Sequence, residues 1–169
     1  MKTILKIIGM ILLVVILVIL IFCATYVYNH YPRKIESFVV NNQDMDNKVL
    51  IVSQGSEFKN ALLNNLVTKI ENDTTYIKVI HTSVLDEIDK SNWTSIIIIN
   101  TCVADKINKN VNRFIQNKPN RIPIIMLITA GDGRWKPENL TVDAVSTASR
   151  MNRIETLTDS IAHFLVSKK

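Results

Sequence analysis

Three short polar stretches carry the residues with chemistry to offer: 53–58 (Ser-Gln-Gly-Ser-Glu-Phe), 100–105 (Asn-Thr-Cys-Val-Ala-Asp) and 129–135 (Thr-Ala-Gly-Asp-Gly-Arg-Trp). Each follows an apolar run of strand length, and in an open parallel sheet ligands bind at the loops on the strands' carboxyl ends. Asp132 and Asp143 are the carboxylates that an acid–base pair would use if they met. Cys102 has two readings: a reactive thiol beside a helix N-terminus, or an inert thiol in the core. Asp105 reads as an ordinary helix-start acid. Residues 143–149 (Asp-Ala-Val-Ser-Thr-Ala-Ser) bring small hydroxyl side chains to the front of the last helical stretch, where Ser146, Thr147 or Ser149 serves as a cap. His30, His81 and His163 are scattered and no CxxC spacing occurs, so no metal site is expected. There is no Gly-x-Ser-x-Gly elbow, Walker loop or glycine-rich dinucleotide fingerprint, and no catalytic residue is assigned.

The elements that must position these stretches follow from periodicity. Val49–Val52 is a short apolar run of the kind a strand buried on both faces shows. After Ser53–Ser56 the spacing becomes helical at Leu62, Leu63, Leu66, Val67 and Ile70. Tyr76–Ile80 alternates as a second strand, and Ser83–Ile88 is expected as a short helix with Ser83 at its cap. Residues 95–100 hold four consecutive isoleucines, which places that strand at the centre of the sheet. Val103, Ile107, Val111, Phe114 and Ile115 form one helical stripe. Asn117–Arg121 ends that helix, and Ile122–Ile128 is a fourth strand. Val142–Ser146 is expected as a short fifth strand, with a terminal helix over Arg150–Lys169. No full helix fits between the last two strands. Strand and helix alternating in this way predict an α/β sandwich with a mostly parallel sheet.

This order of elements, over about 120 residues, resembles the flavodoxin-like family: a three-layer sandwich on a mostly parallel four- to five-stranded sheet. What the resemblance implies is FMN binding. Ser53, Gly55 and Ser56 stand where that family's first loop and helix N-terminus hold the flavin phosphate. Asn100 and Thr101 stand on the third-strand loop, and Gly131 and Trp135 on the fourth, with Trp135 against one side of the flavin ring. Glu57 occupies the helix start, and no aromatic residue follows the third strand. Residues 143–149 also look like the motif on which flavin transferases attach FMN. Ser149 would then carry the flavin, Asp143 and Ser146 would be recognition residues, and Thr147 stands at the motif's glycine.

The front of the chain differs from the rest. Ile7–Thr25 contains no charge, and its 19 residues would span ~28 Å as a helix, close to the ~30 Å hydrocarbon core of a bilayer. Tyr26, Tyr28 and Tyr31 follow as an interfacial belt. Residues 1–28 therefore read as an uncleaved single-pass anchor, 29–47 as a polar tether reaching ~20–25 Å, and 48–169 as the domain. Within 29–47, Phe38-Val39-Val40 has a second reading as an extra edge segment. Lys2 and Lys6 ahead of the span favour an exported domain, against Arg33 and Lys34 behind it. The net charge of +5 is spread without runs or aromatic interleaving, so no nucleic-acid partner is expected. Two functions fit: an FMN-dependent electron carrier serving a redox partner protein at the membrane surface, and a cofactor-free interaction module of a membrane complex. The second would use Gly131–Trp135 and Val142–Ser149 as its contact surface.

Overall fold

The structure, a computed structural model, describes residues 2–30, 33–117 and 122–168. It divides into two units, residues 1–32 and 33–169. The first holds one helix, α1 (Lys2–His30), whose Lys6–Tyr28 stretch of 23 residues is long and apolar enough to cross a membrane. At ~1.5 Å per residue that stretch is about 35 Å long. Its aliphatic side chains from Ile7 to Ile21 are exposed all round, as befits a helix with no protein core to face. Tyr31 and the expected turn over 118–121 lie outside the described residues.

The second unit is a six-stranded sheet with helices on both faces. Its strands are β1 (Phe38–Val40), β2 (Asn47–Ser53), β3 (Thr75–His81), β4 (Ser95–Thr101), β5 (Ile124–Thr129) and β6 (Asp143–Thr147), in the order β1-β3-β2-β4-β5-β6. β1 runs antiparallel to β3, and every other pairing is parallel. From β2 onward the order is 2-1-3-4-5, the flavodoxin-like arrangement, with β1 added outside it. The fold is a divergent flavodoxin-like one.

Alternation along the strands makes two cores. Val49, Ile51, Ile77, Val79, Ile97, Ile99, Ile125 and Leu127 meet α2 (Glu57–Ile70) and α4 (Ile154–Ser167) on one face. Leu50, Val52, Ile80, Ile96, Ile98, Met126 and Ile128 meet α3 (Lys109–Gln116) on the other. Ile96–Ile99 lie fully buried between neighbours on both sides, so the most apolar run does sit in the middle of the sheet. The second face is thinly covered. The β3–β4 connection is two 3-10 turns, Thr82–Glu87 and Lys90–Asn92, and residues 130–142 join β5 to β6 without a helix. Trp135, Leu140 and Val142 from that loop pack on the core in a helix's place.

Four expectations need correcting. The tether is far shorter than 29–47, because Arg33 pairs with Gly55 and Phe38–Val40 forms β1 on β3. Asn41 then turns the chain at φ 66, donating to the carbonyls of Asn72 and Thr75 at 2.8 and 2.9 Å. α3 begins at Lys109, because Ala104 and Asp105 adopt φ 49 and 56 in a tight turn that bridges Val103 to Lys106. Val103 is consequently 56% exposed and outside the apolar stripe. Thr82–Glu87 is a 3-10 turn capped by His81, whose Nδ1 accepts from the Ser83 N–H at 3.1 Å. The last helix is preceded by a 3-10 turn, Met151–Arg153, and neither has a side-chain cap, so Ser146, Thr147 and Ser149 do not serve as caps.

Candidate functional site

Five parallel strands end at one rim, at Ser53, His81, Thr101, Thr129 and Thr147. The chain leaves β2 for β3 and then crosses back to β4, so the crevice of an open sheet belongs between the ends of β2 and β4. Gly55 and Trp135, which follow β2 and β5, therefore share a rim, as the sequence requires for a common site.

The β2–α2 corner is built from Ser56, the α2 N-cap, whose hydroxyl accepts from the Lys59 N–H at 3.3 Å. Ser53 is fully buried, and its hydroxyl donates to the Gln54 carbonyl at 3.1 Å. Gly55 is where a second stretch of chain comes close. Its N–H donates to the Arg33 carbonyl at 2.6 Å, and its carbonyl accepts from the Arg33 N–H at 2.9 Å. A Cβ there would lie 2.9 Å from the Arg33 oxygen, 3.1 Å from that of Lys34 and 3.2 Å from the Ile35 side chain. Glycine is required at this corner by the contact with the 33–35 segment.

Across the crevice, Gln54 Oε1 accepts from the Thr101 N–H at 3.0 Å, and the Lys59 ammonium donates to the Thr101 hydroxyl. Thr129 Oγ1 donates to the Asn100 carbonyl at 3.3 Å and lies 3.4 Å from Thr101 Oγ1. Asn100 Nδ2 donates to the Thr101 carbonyl at 2.9 Å. Ser53, Asn100 and Thr101 thus come together, joined by two residues the sequence reading missed, Gln54 and Lys59. Lys59 is only 3% exposed, and burial pushes its pKa down from 10.5 to about 8. One signal was available: Lys59 precedes Leu62 and Leu63 by three and four residues, on the buried stripe of α2. His81 is the third missed residue. Its pKa is lowered by burial first, then by the charges of Lys34 and Lys59.

The β5 loop is held by its own backbone. Asp132 Oδ1 accepts from the N–H groups of Arg134 and Trp135 at 3.0 and 3.2 Å, which lowers the Asp132 pKa. Gly133, at φ 69, rests against the Ala148 nitrogen, where a Cβ would come within 2.5 Å. Gly131, Asp132, Arg134 and Lys136 are exposed, while Trp135 is half-buried on the α3-side core and its carbonyl accepts from the Ser146 hydroxyl.

The remaining candidates do not converge. Asp143 opens β6 at the amino rim, a strand's length from Ser149 and at the opposite end of the sheet from Asp132. It pairs with Lys168 at 3.8 Å, so neither an Asp132–Asp143 acid–base pair nor a compact cluster of Asp143, Ser146 and Ser149 exists. Cys102 is separated from α3 by the 103–106 turn, and burial, then Asp105 and Asp132, raise its pKa. It is not an activated thiol, and Asp105 is not at a helix start. Among the described residues, no group of three or more His, Cys, Asp or Glu could hold a metal ion.

No protein-family model matches the chain, and no curated protein matches it. Among solved structures, it is similar to a mutant of a flavodoxin from Pseudomonas aeruginosa, at 12% identity and a TM-score of 0.48, covering 70% of this chain and 99% of that one. A flavodoxin from the domain Archaea has 12% identity and a TM-score of 0.47, with 72% and 98% covered. An oxidoreductase from Corynebacterium diphtheriae has 13% identity and a TM-score of 0.46, with 73% and 98% covered. The fold assignment rests on the strand order given above.

Proposed function

We propose that this is a single-pass membrane protein whose flavodoxin-like domain is a contact module in a membrane complex and works without a flavin. FMN-dependent electron transfer to a redox partner is the competing function that a flavodoxin-like fold suggests, so the fit of FMN to these residues decides between them. A flavin phosphate needs free amides in the first loop. The observation that carries the reading is that the Gly55 N–H and the space beside it are taken by Arg33, Lys34 and Ile35. Two further features support it. The Ser53 hydroxyl donates its proton to the Gln54 carbonyl, and the Ser56 oxygen is engaged by the Lys59 N–H as the α2 cap. Trp135 packs on the core, and the third-strand loop offers no aromatic to oppose it. FMN therefore does not fit this corner in the conformation the chain adopts.

The contact surface is the loop over 131–138. Asp132, Arg134, Lys136 and Glu138 are exposed there on a backbone already fixed by Asp132 and Gly133. A loop ordered before binding loses little conformational freedom when a partner arrives. α1 is the anchor, and Lys2 and Lys6 at its start favour a domain on the exported side. The test is a visible spectrum of the full chain purified in detergent, alone and after incubation with FMN. The expected result is a colourless protein that leaves the FMN spectrum and fluorescence unchanged. Stoichiometric flavin, released on denaturation or retained on Ser149, would overturn the proposal.

A further inference from the structure

Two exposed apolar side chains stand on loops of the carboxyl rim, each on a short fixed turn with basic residues beside it. Val103, 56% exposed, belongs to the turn that Ala104 and Asp105 close, pinned by two backbone bonds between Val103 and Lys106 at 3.0 and 3.1 Å. The base of that turn is tied to β5, where the Cys102 N–H donates to the Thr129 carbonyl at 2.8 Å. Lys106 and Lys109 follow, both exposed. Met151, 51% exposed, opens the 3-10 turn before α4, with the exposed Arg150 before it and Arg153 after it. The Arg153 N–H donates to the Arg150 carbonyl at 3.0 Å and fixes that turn as well. Among the described residues none of these four basic side chains is in an ion pair.

A single exposed valine or methionine means little by itself. Here two other observations point the same way. Segments 33–36, 54–58, 102–109, 130–136 and 148–155, which make up the rim, hold eight basic and five acidic residues, a net charge of +3. Of the chain's 20 lysines and arginines only Lys2 and Lys6 precede residue 33, and all 15 acids follow it, so residues 33–169 also carry +3. The domain's whole excess of charge therefore lies on this rim. The chain also enters the domain there, through the pairing of Arg33 with Gly55. The apolar span of α1 ends at Tyr28, and even fully extended the chain from Tyr28 to Arg33 reaches at most about 18 Å.

We propose that the carboxyl rim is a docking surface for a bilayer of anionic phospholipid. Val103 and Met151 are its apolar tips, and Lys106, Lys109, Arg150 and Arg153 are the cations that meet the headgroups. Apolar side chains with basic neighbours are the composition of elements that lie in a membrane interface. An anionic leaflet attracts each nearby lysine or arginine, and the attraction falls away within a Debye length. It therefore acts on a rim that a short stretch of chain keeps close to the span, which is where the basic excess lies. An acidic protein would satisfy the cations equally, but the short chain favours the lipid. Because both turns are fixed before contact, little conformational freedom is lost on docking. The inference rests on the reading of α1 as a membrane span and is independent of whether the domain takes a flavin. It also narrows the contact module: the 131–138 loop leaves the same rim, so the partner met there lies in or on the bilayer.

The test is amide hydrogen exchange of the full chain in nanodiscs of phosphatidylcholine, with and without phosphatidylglycerol. In the anionic discs the amides of 103–109 and 150–153 are expected to exchange about tenfold more slowly than in the neutral ones. Those of 44–47 and 71–74, at the amino rim, should exchange alike in both. The slowing should vanish at about 0.5 M salt and in the double variant Arg150→Glu/Arg153→Glu, and it should weaken in Val103→Asp. Lys106→Gln/Lys109→Gln is the milder second variant, and an unchanged urea midpoint in detergent shows that each variant folds. The α1 amides separate the two readings. If they exchange freely in both discs, the membrane span is refuted and the docking surface with it. If they are protected while the rim exchanges alike in both discs, the docking surface alone is refuted. Slowing that persists in Arg150→Glu/Arg153→Glu also overturns the inference. Slowing produced by added polyglutamate and not by phosphatidylglycerol would assign the rim to an acidic protein and overturn it too.

Discussion

Replacing Lys59 with methionine should make the protein more stable, and the pH at which the gain disappears identifies its cause. In the folded chain the Lys59 pKa lies at about 8, against 10.5 for the free side chain, because burial strips water from the ammonium. At about 1.4 kcal/mol for each tenfold change in proton affinity, keeping this lysine charged costs the fold about 3 kcal/mol. Below pH 8 both folded and unfolded chains hold the proton, and the full cost is present. Between pH 8 and 10.5 the unfolded chain retains a proton that the folded chain has released, so wild-type stability rises with pH across that window. Above 10.5 the cost has gone. Methionine has similar length and no charge, and it gives up only the hydrogen bond to Thr101, worth about 1 kcal/mol. Lys59→Met is therefore expected to gain about 2 kcal/mol at pH 7, a shift of about 1 M in the urea midpoint at a slope near 2 kcal/mol/M. The assay is urea unfolding of the full chain in detergent and phosphate-free buffer from pH 7 to 10.5, read by Trp93 and Trp135, both in the domain. Other groups titrate in this range in both proteins, so the difference between them isolates Lys59. A variant no more stable than wild type at pH 7, or a difference that does not shrink towards pH 10.5, would refute the reasoning.

Two further outcomes follow from contacts at the same rim. Gly55→Ala brings a Cβ to 2.9 Å from the Arg33 oxygen and should cost about 1–3 kcal/mol in urea unfolding, with faster amide hydrogen exchange at residue 55 as the 33–35 segment loosens. An unchanged exchange rate there would show that the segment is not held by this contact. Cys102 should react with iodoacetamide more slowly at pH 7 than a free cysteine, since burial and the nearby carboxylates of Asp105 and Asp132 raise its thiol pKa. Faster alkylation than the free amino acid would contradict that environment.

The sheet was legible because its signal is local and strong. The apolar runs of β2, β4 and β5 are long enough, and β-branched enough, that burial on both faces is their only satisfactory state. The missing helix between β5 and β6 could be read from chain length alone. β1 was harder. Phe38-Val39-Val40 is three residues long, and it becomes a strand because β3 would otherwise expose its hydrogen-bonding edge. α3 was read too long because Val103 fits a helical stripe in register, while nothing about Ala104 announces the left-handed turn that it makes with Asp105. The site shows the same division. Ser53, Gly55, Asn100 and Thr101 were placed by their position after strands, and the structure does gather them at one rim.

The sequence by itself determined a membrane-length apolar helix, an α/β domain and the rim at which its loops meet, because hydropathy and spacing act within a few residues of one another. Only the tertiary structure decided what that rim holds. The Arg33 backbone reaches Gly55 from 22 residues away, and Lys59 reaches Thr101 from 42 away. Whether an amide is spent, or a lysine is stripped of water, depends on which distant segment packs against it, and no local pattern records that partner.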